Sequence, residues 1–316
     1  MKKILFGYRF DKEGFQILEE NFELIYPETQ YFSRQEMIDL IQDVDVLVPN
    51  FGYSTDKEII DKGEKLQLIA NFGVGYDNID VEYAASKGIA VTNTPNSVLE
   101  PTAELCFALI LAAARRIRFY DSTLRSENGL RWGLYNDLGT MLHGKTLGIF
   151  GMGRIGRAVA RRAVASGMKI IYHNRSRIDK SIEKKYEARY VDFDSLLKES
   201  DIISINAPAT SETFHIFNGE TFGKMKPDSI LVNVARGSLV DEQALAEALK
   251  SGIIGSAGLD VFENEPKISR ELLELENIVL TPHAGTKTVE SRKEMQHEVS
   301  QNIIGFFEGK PVSRVN

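Results

Sequence analysis

The sequence predicts an α/β protein of two domains, each built on a parallel sheet. Three observations carry this expectation. Short apolar runs alternate with polar, helix-patterned stretches, as successive βαβ units require. A glycine-rich turn, "GMGRIG" at 151–156, restarts the series near the middle of the chain. The length, 316 residues, exceeds what one ordinary hydrophobic core accommodates.

The first series comprises "KKILFGY", "VDVLVPNF", "LQLIANFG" and "GIAVTNTP", each an apolar run ending in turn-forming residues. Parallel strands joined by right-handed crossovers place ligands outside their carboxyl ends, so the tips at 50–53 and 71–77 are candidate ligand loops. "TPNSVLEPTAELCFALILAAARR" follows, a turn and then a long helix with Pro101 in its first turn. The only cysteine, Cys106, lies in the apolar face of that run and is expected to be a buried structural thiol. Bounded by Glu104 and Arg115, the run is too short to span a bilayer.

After the irregular "SENGLRWGLYNDLGTMLHGK", the second series is expected to place strands near 146–150, 169–173, 201–207, 230–234, 255–260 and 278–280. The segment 286–307 is helical by pattern and would fit as a helix returning to the first domain. Composition narrows the function classes. A net charge of −7 argues against broad nucleic-acid binding, which needs a basic face. The N-terminus shows no secretory signal, and a cytoplasmic location is expected.

"GMGRIG" follows a strand and opens a helix, the context a Rossmann-like dinucleotide fingerprint requires. Gly151 permits the tight turn, Gly153 lets backbone approach a pyrophosphate, and Gly156 lets the helix pack on the strand. The helix N-terminus then presents N–H groups to phosphate. About twenty residues on, where an acid ordinarily grips the ribose, the strand tip "KIIYHNRSR" reads Asn174, Arg175, Ser176. Asn removes the repulsion of a 2′-phosphate, while Arg175 and Ser176, with Arg177 just beyond them, offer donors. NADP(H) is therefore expected over NAD(H), with NAD(H) the alternative if the arginines only face solvent.

Three later stretches, "LVNVARGSLVDEQALAEAL", "GLDVFENEP" and "IVLTPHAGT", follow or end expected strands. They can bring Arg236, Glu265 and His283 to one sheet edge. This trio suits hydride transfer to a 2-oxo acid: Arg236 binding the carboxylate and polarising the carbonyl, His283 donating the proton, Glu265 orienting the imidazole.

With "NFGVGYDNID", "TAELCFALILAAARR" and "GKTLGIFGMGRIG" in the same order, these motifs make the chain resemble the D-isomer-specific 2-hydroxyacid dehydrogenase family over essentially its whole length. The nearest resemblance is to the glyoxylate/hydroxypyruvate reductase and 2-ketogluconate reductase group. The resemblance implies two Rossmann-like/flavodoxin-like domains with an interdomain active-site cleft. Residues 98–285 would form the NAD(P)-binding domain, and 1–97 with 286–316 the substrate-binding domain. It implies Arg236, Glu265 and His283 as the catalytic set, and Val74 and Gly75 as backbone donors to the substrate carboxylate. Asp260 would hold the nicotinamide amide, Arg154 and Ile155 would approach the pyrophosphate, and Ala207 and Pro208 would line the adenosine side. Thr102, Val234, Ala235 and Gly285 would approach the cofactor. The implied substrate is a small 2-oxo acid, and the implied assembly a homodimer.

Phe51 and Tyr53 are expected to shape the substrate pocket. Trp132 stands between two readings, entry into a partner subunit's site or packing at a dimer interface. His143, His173, His215 and His297 are expected to be structural or solvent-facing, and no metal site is proposed because metal-ligand spacing is lacking. Two alternatives stay open: oxidation of 3-phosphoglycerate, and a dinucleotide-sensing corepressor without turnover.

Overall fold

Short runs rich in Ile, Leu and Val become the strands of two parallel sheets in the computed structural model, which describes residues 1–49, 54–126, 129 and 133–316. The chain divides into two units, Met1–Val98 joined with Lys287–Asn316, and Leu99–Thr286.

In the first unit the strands are β1 (Lys2–Phe6), β2 (Phe22–Ile25), β3 (Val46–Val48), β4 (Leu68–Ala70) and β5 (Ala90–Thr92), in the order β2-β1-β3-β4-β5. The order reverses between β1 and β3, which opens a crevice at the carboxyl edge of the sheet. Alternate side chains feed two cores. Ile4, Phe6, Val46 and Val48 face one layer, completed by Met295, Val299 and Ile303. Leu5, Leu47, Ile69 and Val91 face the other, with Met37 and Ile59. With both faces covered, the strands are apolar at nearly every position rather than alternating. Met295, Val299 and Ile303 recur every fourth residue on the helix Val289–Phe307, whose N-cap Thr288 accepts from Ser291 N–H.

In the second unit β6 (Thr146–Phe150), β7 (Lys169–His173), β8 (Ala188–Tyr190), β9 (Ile202–Ile205), β10 (Ile230–Asn233), β11 (Ser256–Leu259) and β12 (Ile278–Leu280) run in the order β12-β11-β10-β9-β6-β7-β8. Here the reversal lies between β6 and β9, where the glycine-rich turn leaves β6. The helices Leu99–Ala114 and Arg154–Ala165 pack on each other over one sheet face. Cys106 is fully buried with its Sγ 3.1 Å from Ser204 Oγ, and burial pushes its pKa up to about 12, leaving an unreactive thiol.

Two strands, β2 and β8, were not expected from the sequence. Each is an edge strand with one partner, β1 and β7 respectively. Among the described residues, no helix is long and apolar enough to cross a membrane, and no group of His, Cys, Asp and Glu side chains could hold a metal ion.

Candidate active site

The turn after β6 is shaped by its three glycines in three different ways. Gly151 has φ +100°, and a Cβ there would lie 2.5 Å from Ala207 N, so both conformation and space demand glycine. A Cβ on Gly156 would lie 2.3 Å from Gly151 O, so the helix can sit on the turn only without a side chain. A Cβ on Gly153 would meet nothing within 4 Å. That open space lies at the N-cap of the helix Arg154–Ala165, which has no side-chain cap, so its first N–H groups face outward beside Arg154 and Ile155. Asn206, next to Ala207 and the exposed Pro208, keeps a buried Oδ1 without a hydrogen-bond partner. Open space, uncapped donors and an orphaned acceptor fit a dinucleotide laid across this edge.

Asn174 follows β7 and turns back into the fingerprint, its Oδ1 accepting the Met152 N–H at 2.6 Å. Arg175 and Ser176 are exposed beyond it. Arg177 is occupied elsewhere. Its Nε and a terminal nitrogen each donate at 2.8 Å to the two oxygens of Glu183, which also accepts from Tyr172 Oη at 2.7 Å. Bonds from Arg177 first, then from Tyr172, hold the Glu183 pKa down to about 2. The strand tip therefore offers Arg175 and Ser176, and Arg177 serves the fold.

The expected reacting trio comes from three separate loops of the second unit. Arg236 follows β10, half-buried, with a terminal nitrogen donating to Ala235 O at 2.7 Å. Asn233, fully buried, fixes this loop: its amide donates to Arg236 O at 2.8 Å and its Oδ1 accepts Ala235 N–H at 3.0 Å, across the buried Val234. His283 Nδ1 lies 2.8 Å from Glu265 Oε2, and Glu265 Oε1 accepts Phe262 N–H at 2.9 Å. Burial pushes the Glu265 pKa up, but the hydrogen bonds from His283 and Phe262, with the charges of His283 and Arg236, bring it below the ordinary value. The carboxylate is therefore an ionised acceptor, which assigns the proton to Nδ1 and leaves Nε2 of the half-exposed imidazole outward.

Asp260 organises the segment that presents His283. Its buried Oδ1 accepts from Thr281 Oγ1 at 2.6 Å and Ala284 N–H at 2.7 Å, and Oδ2 accepts Gly285 N–H at 2.9 Å. A Cβ on Gly285 would lie 3.2 Å from Thr102 Oγ1 and 3.4 Å from Asp260 Oδ2, so these three residues meet at one point.

A supporting layer escaped the sequence reading. Gly237 lies so close to the neighbouring loop that a Cβ would fall 1.9 Å from the Phe262 carbonyl carbon. Glu242, nearly fully buried, accepts Glu263 N–H at 2.7 Å. Glu263 in turn pairs with His215 Nε2, and His215 N–H donates to Ser238 O at 2.8 Å. The loops bearing Arg236 and Glu265 are thus one rigid piece. For Asn233 the signal was available, a polar residue inside the apolar run "LVNVA", which predicts a structural hydrogen bond; Glu242, in the polar "DEQ", carries no such signal.

In the first unit the segment after β4 is pinned from one side. Asn71 donates to Gly73 O at 3.0 Å and Gly75 O at 2.7 Å, and Asn93 donates to Val74 O at 2.9 Å. In a trans peptide the N–H points opposite to the carbonyl before it. With Gly73 and Val74 carbonyls drawn to these asparagines, the Val74 and Gly75 N–H groups point away from them, and neither has an acceptor among the described residues. Phe51, Tyr53 and Trp132 lie outside the described residues.

Comparison with known proteins matches residues 107–285 to the model of the "D-isomer specific 2-hydroxyacid dehydrogenase, NAD binding domain" family. The chain is 44% identical to a glyoxylate reductase of Thermococcus litoralis, over 99% of this chain and 96% of that protein. The solved structure of a glyoxylate reductase from Paecilomyes thermophila superposes with a TM-score of 0.90 at 37% identity, covering 99% of this chain and 98% of that one. An NADPH-dependent glyoxylate/hydroxypyruvate reductase from Sinorhizobium meliloti gives 0.86 at 32% identity, covering 100% and 98%.

Proposed function

Because the chain belongs to the D-isomer specific 2-hydroxyacid dehydrogenase family, we propose that it reduces a small 2-oxo acid, glyoxylate or hydroxypyruvate first, to the D-2-hydroxy acid. The observation that carries this reading is the 2.8 Å bond between His283 Nδ1 and the ionised Glu265. The nicotinamide dinucleotide, when bound, supplies a hydride to the carbonyl carbon. His283 Nε2 gives its proton to the carbonyl oxygen, and Glu265 steadies the protonated ring until it does. Arg236 draws electron density toward the carbonyl oxygen and holds the acid end of the substrate. The outward Val74 and Gly75 N–H groups receive the substrate carboxylate. Asp260, Thr102 and Gly285 shape the nicotinamide end, and residues 151–156 with Ala207 and Pro208 the pyrophosphate and adenosine.

NADP(H) is the preferred cofactor in this reading, with NAD(H) usable. Asn174 stands where an acid would repel a 2′-phosphate, and Arg175 and Ser176 are exposed beside it. The Sinorhizobium neighbour is NADPH-dependent. Residues 98–285 serve as the cofactor domain, and 1–97 with 286–316 as the substrate domain. The assembly is a homodimer in the cytoplasm. Ile117, Leu124, Leu134, Tyr135, Leu138 and Met141, all of the second unit, are exposed apolar side chains of the kind a second copy would cover. Relatives at 44% and 43% identity are glyoxylate reductases, which favours this reading over 3-phosphoglycerate oxidation or a corepressor role.

Initial rates of glyoxylate reduction with NADPH and NADH, compared as kcat/KM, test it. Turnover with an NADPH preference supports the whole reading. Equal use of both removes the role of Arg175 and Ser176, and no turnover on any 2-oxo acid removes the reductase.

A further inference from the structure

Among the charged side chains of the helix Val289–Phe307, none of which the reaction above uses, one is drawn inward. Arg292 is half-buried at the carboxyl edge of the first-unit sheet. Its guanidinium carbon lies 5.9 Å from the centre of the Phe72 ring, and a terminal nitrogen lies 3.7 Å from Met295 Sδ. Phe72 is itself buried and packs on Phe10 at 4.7 Å between ring centres. Among the described residues, no carboxylate is paired with Arg292. Burial lowers the pKa of Arg292, and only the Tyr8 phenol, close enough to act on it electrostatically, works against that.

Buried charge is normally paired, because desolvating it without an anion is costly. An aromatic face and a thioether compensate only in part. A guanidinium held in this state is prepared for an anion that the chain itself does not supply. Tyr8 supports this. Its Oη accepts from Gln30 Nε2 at 2.9 Å, which leaves its own proton to donate.

The position adds the second line of support. Tyr8 follows β1, which flanks the strand-order reversal where open α/β sheets bind ligands, and Phe72 follows β4 at the same carboxyl edge. Phe72 is two residues before Val74, a reach of at most about 7 Å. The first unit therefore gathers, at one edge, two amide N–H groups with no acceptor among the described residues and a separate cation with a hydroxyl donor.

We propose that Arg292 and Tyr8 form an oxyanion site that reads the distal carboxylate or phosphate of a 2-oxo acid whose C1 carboxylate rests on the Val74 and Gly75 amides. This rests on the reductase reading above and extends it to a substrate class: 2-oxo acids bearing a second anionic group. Arg292 then determines specificity and takes no part in proton or hydride transfer.

The test compares kcat/KM for glyoxylate, oxaloacetate and 3-phosphohydroxypyruvate in wild type, Arg292→Lys and Arg292→Met. Removing the charge should lower the ratio of the distal-anion substrate to glyoxylate roughly ten- to hundredfold, with Lys retaining part of it. The substrate that loses most identifies carboxylate or phosphate. Arg292→Met should also raise the ligand-free Tm, since an apolar chain of similar length replaces an unpaired, half-buried charge. An unchanged ratio in Arg292→Met overturns the proposal, as does a lowered Tm with equal loss on all three substrates, which would make Arg292 structural. Calorimetric titration of the wild type and Arg292→Met with succinate and with inorganic phosphate separates the two readings. Anion binding lost in the variant upholds the site even where no 2-oxo acid is reduced. Glyoxylate turnover with identical anion binding in both proteins upholds the reductase and removes the site.

Discussion

Glu265 holds His283 from a carboxylate that is itself fixed at both oxygens, one bonded to His283 Nδ1 at 2.8 Å and the other to Phe262 N–H at 2.9 Å. Eighteen residues separate the pair in sequence, and neither oxygen is left to turn. His283 sits at φ +47°, a left-handed conformation that Asp260 sustains through its bonds to Thr281, Ala284 and Gly285.

The first expected outcome concerns charge at this pair. The Glu265 pKa is below its ordinary value, so the carboxylate is ionised at neutral pH, and the pairing is lost only as pH falls through that lowered value. Glu265→Gln keeps a hydrogen-bond acceptor but no charge. The protonated imidazole loses its stabilising partner, so reduction should fail at a lower pH than in wild type. A kcat/KM profile between about pH 5 and 9 reads this limb, and an unmoved limb excludes the pairing from the reaction.

Proton donation and substrate binding separate in two further variants. His283→Gln should lower kcat by about 10²–10⁴-fold while nucleotide affinity, followed by fluorescence titration, changes little. Arg236→Ala should raise KM and lower kcat together, because this residue both holds the acid and polarises the carbonyl. Wild-type-like reduction in either variant removes that residue from its role.

Cofactor choice should turn on Asn174 and Arg175. Asp at 174 can still accept Met152 N–H while adding a charge that repels a 2′-phosphate. Asn174→Asp and Arg175→Ala should each cut the NADPH/NADH ratio of kcat/KM, roughly ten- to hundredfold. Arg177→Gln should change the ratio far less, because Glu183 already holds that guanidinium. An equal effect of all three would show that net charge, and not contact, sets the preference.

Two glycine variants should fail in opposite ways. Gly237→Ala forces a methyl into the Phe262 backbone, displacing the Glu265 loop, and should cost about 1–3 kcal/mol of stability together with activity. Gly153→Ala meets open space, should cost within about 1 kcal/mol, and should instead weaken nucleotide binding. Thermal unfolding with and without NADPH distinguishes them, and a stable, active Gly237→Ala protein would refute the rigid coupling of the two loops.

Much of this site is written in short local patterns. "GMGRIG" encodes its own turn, because glycine's freedom at Gly151 and the helix start at Arg154 are consequences of neighbouring residues. The buried strands are equally local, since both faces of each sheet are covered and runs such as "ILF" and "VLV" are apolar throughout. β2 and β8 were not legible for the converse reason. "FELI" carries an acid, "ARY" is three residues long, and each strand exists because a single partner, β1 or β7, offers its edge.

By itself the sequence determined the parallel α/β class and the glycine-rich turn, and it singled out Arg236, Glu265 and His283 as candidates, because those depend on periodicity, on glycine positions and on motifs continuous along the chain. Only the tertiary structure decided that Arg177 belongs to Glu183, that Glu242 and Gly237 lock two loops together, and that Arg292 pairs with no carboxylate among the described residues. A side chain's charge is a property of its residue, but whether that charge is spent or available depends on what packs against it from elsewhere in the chain.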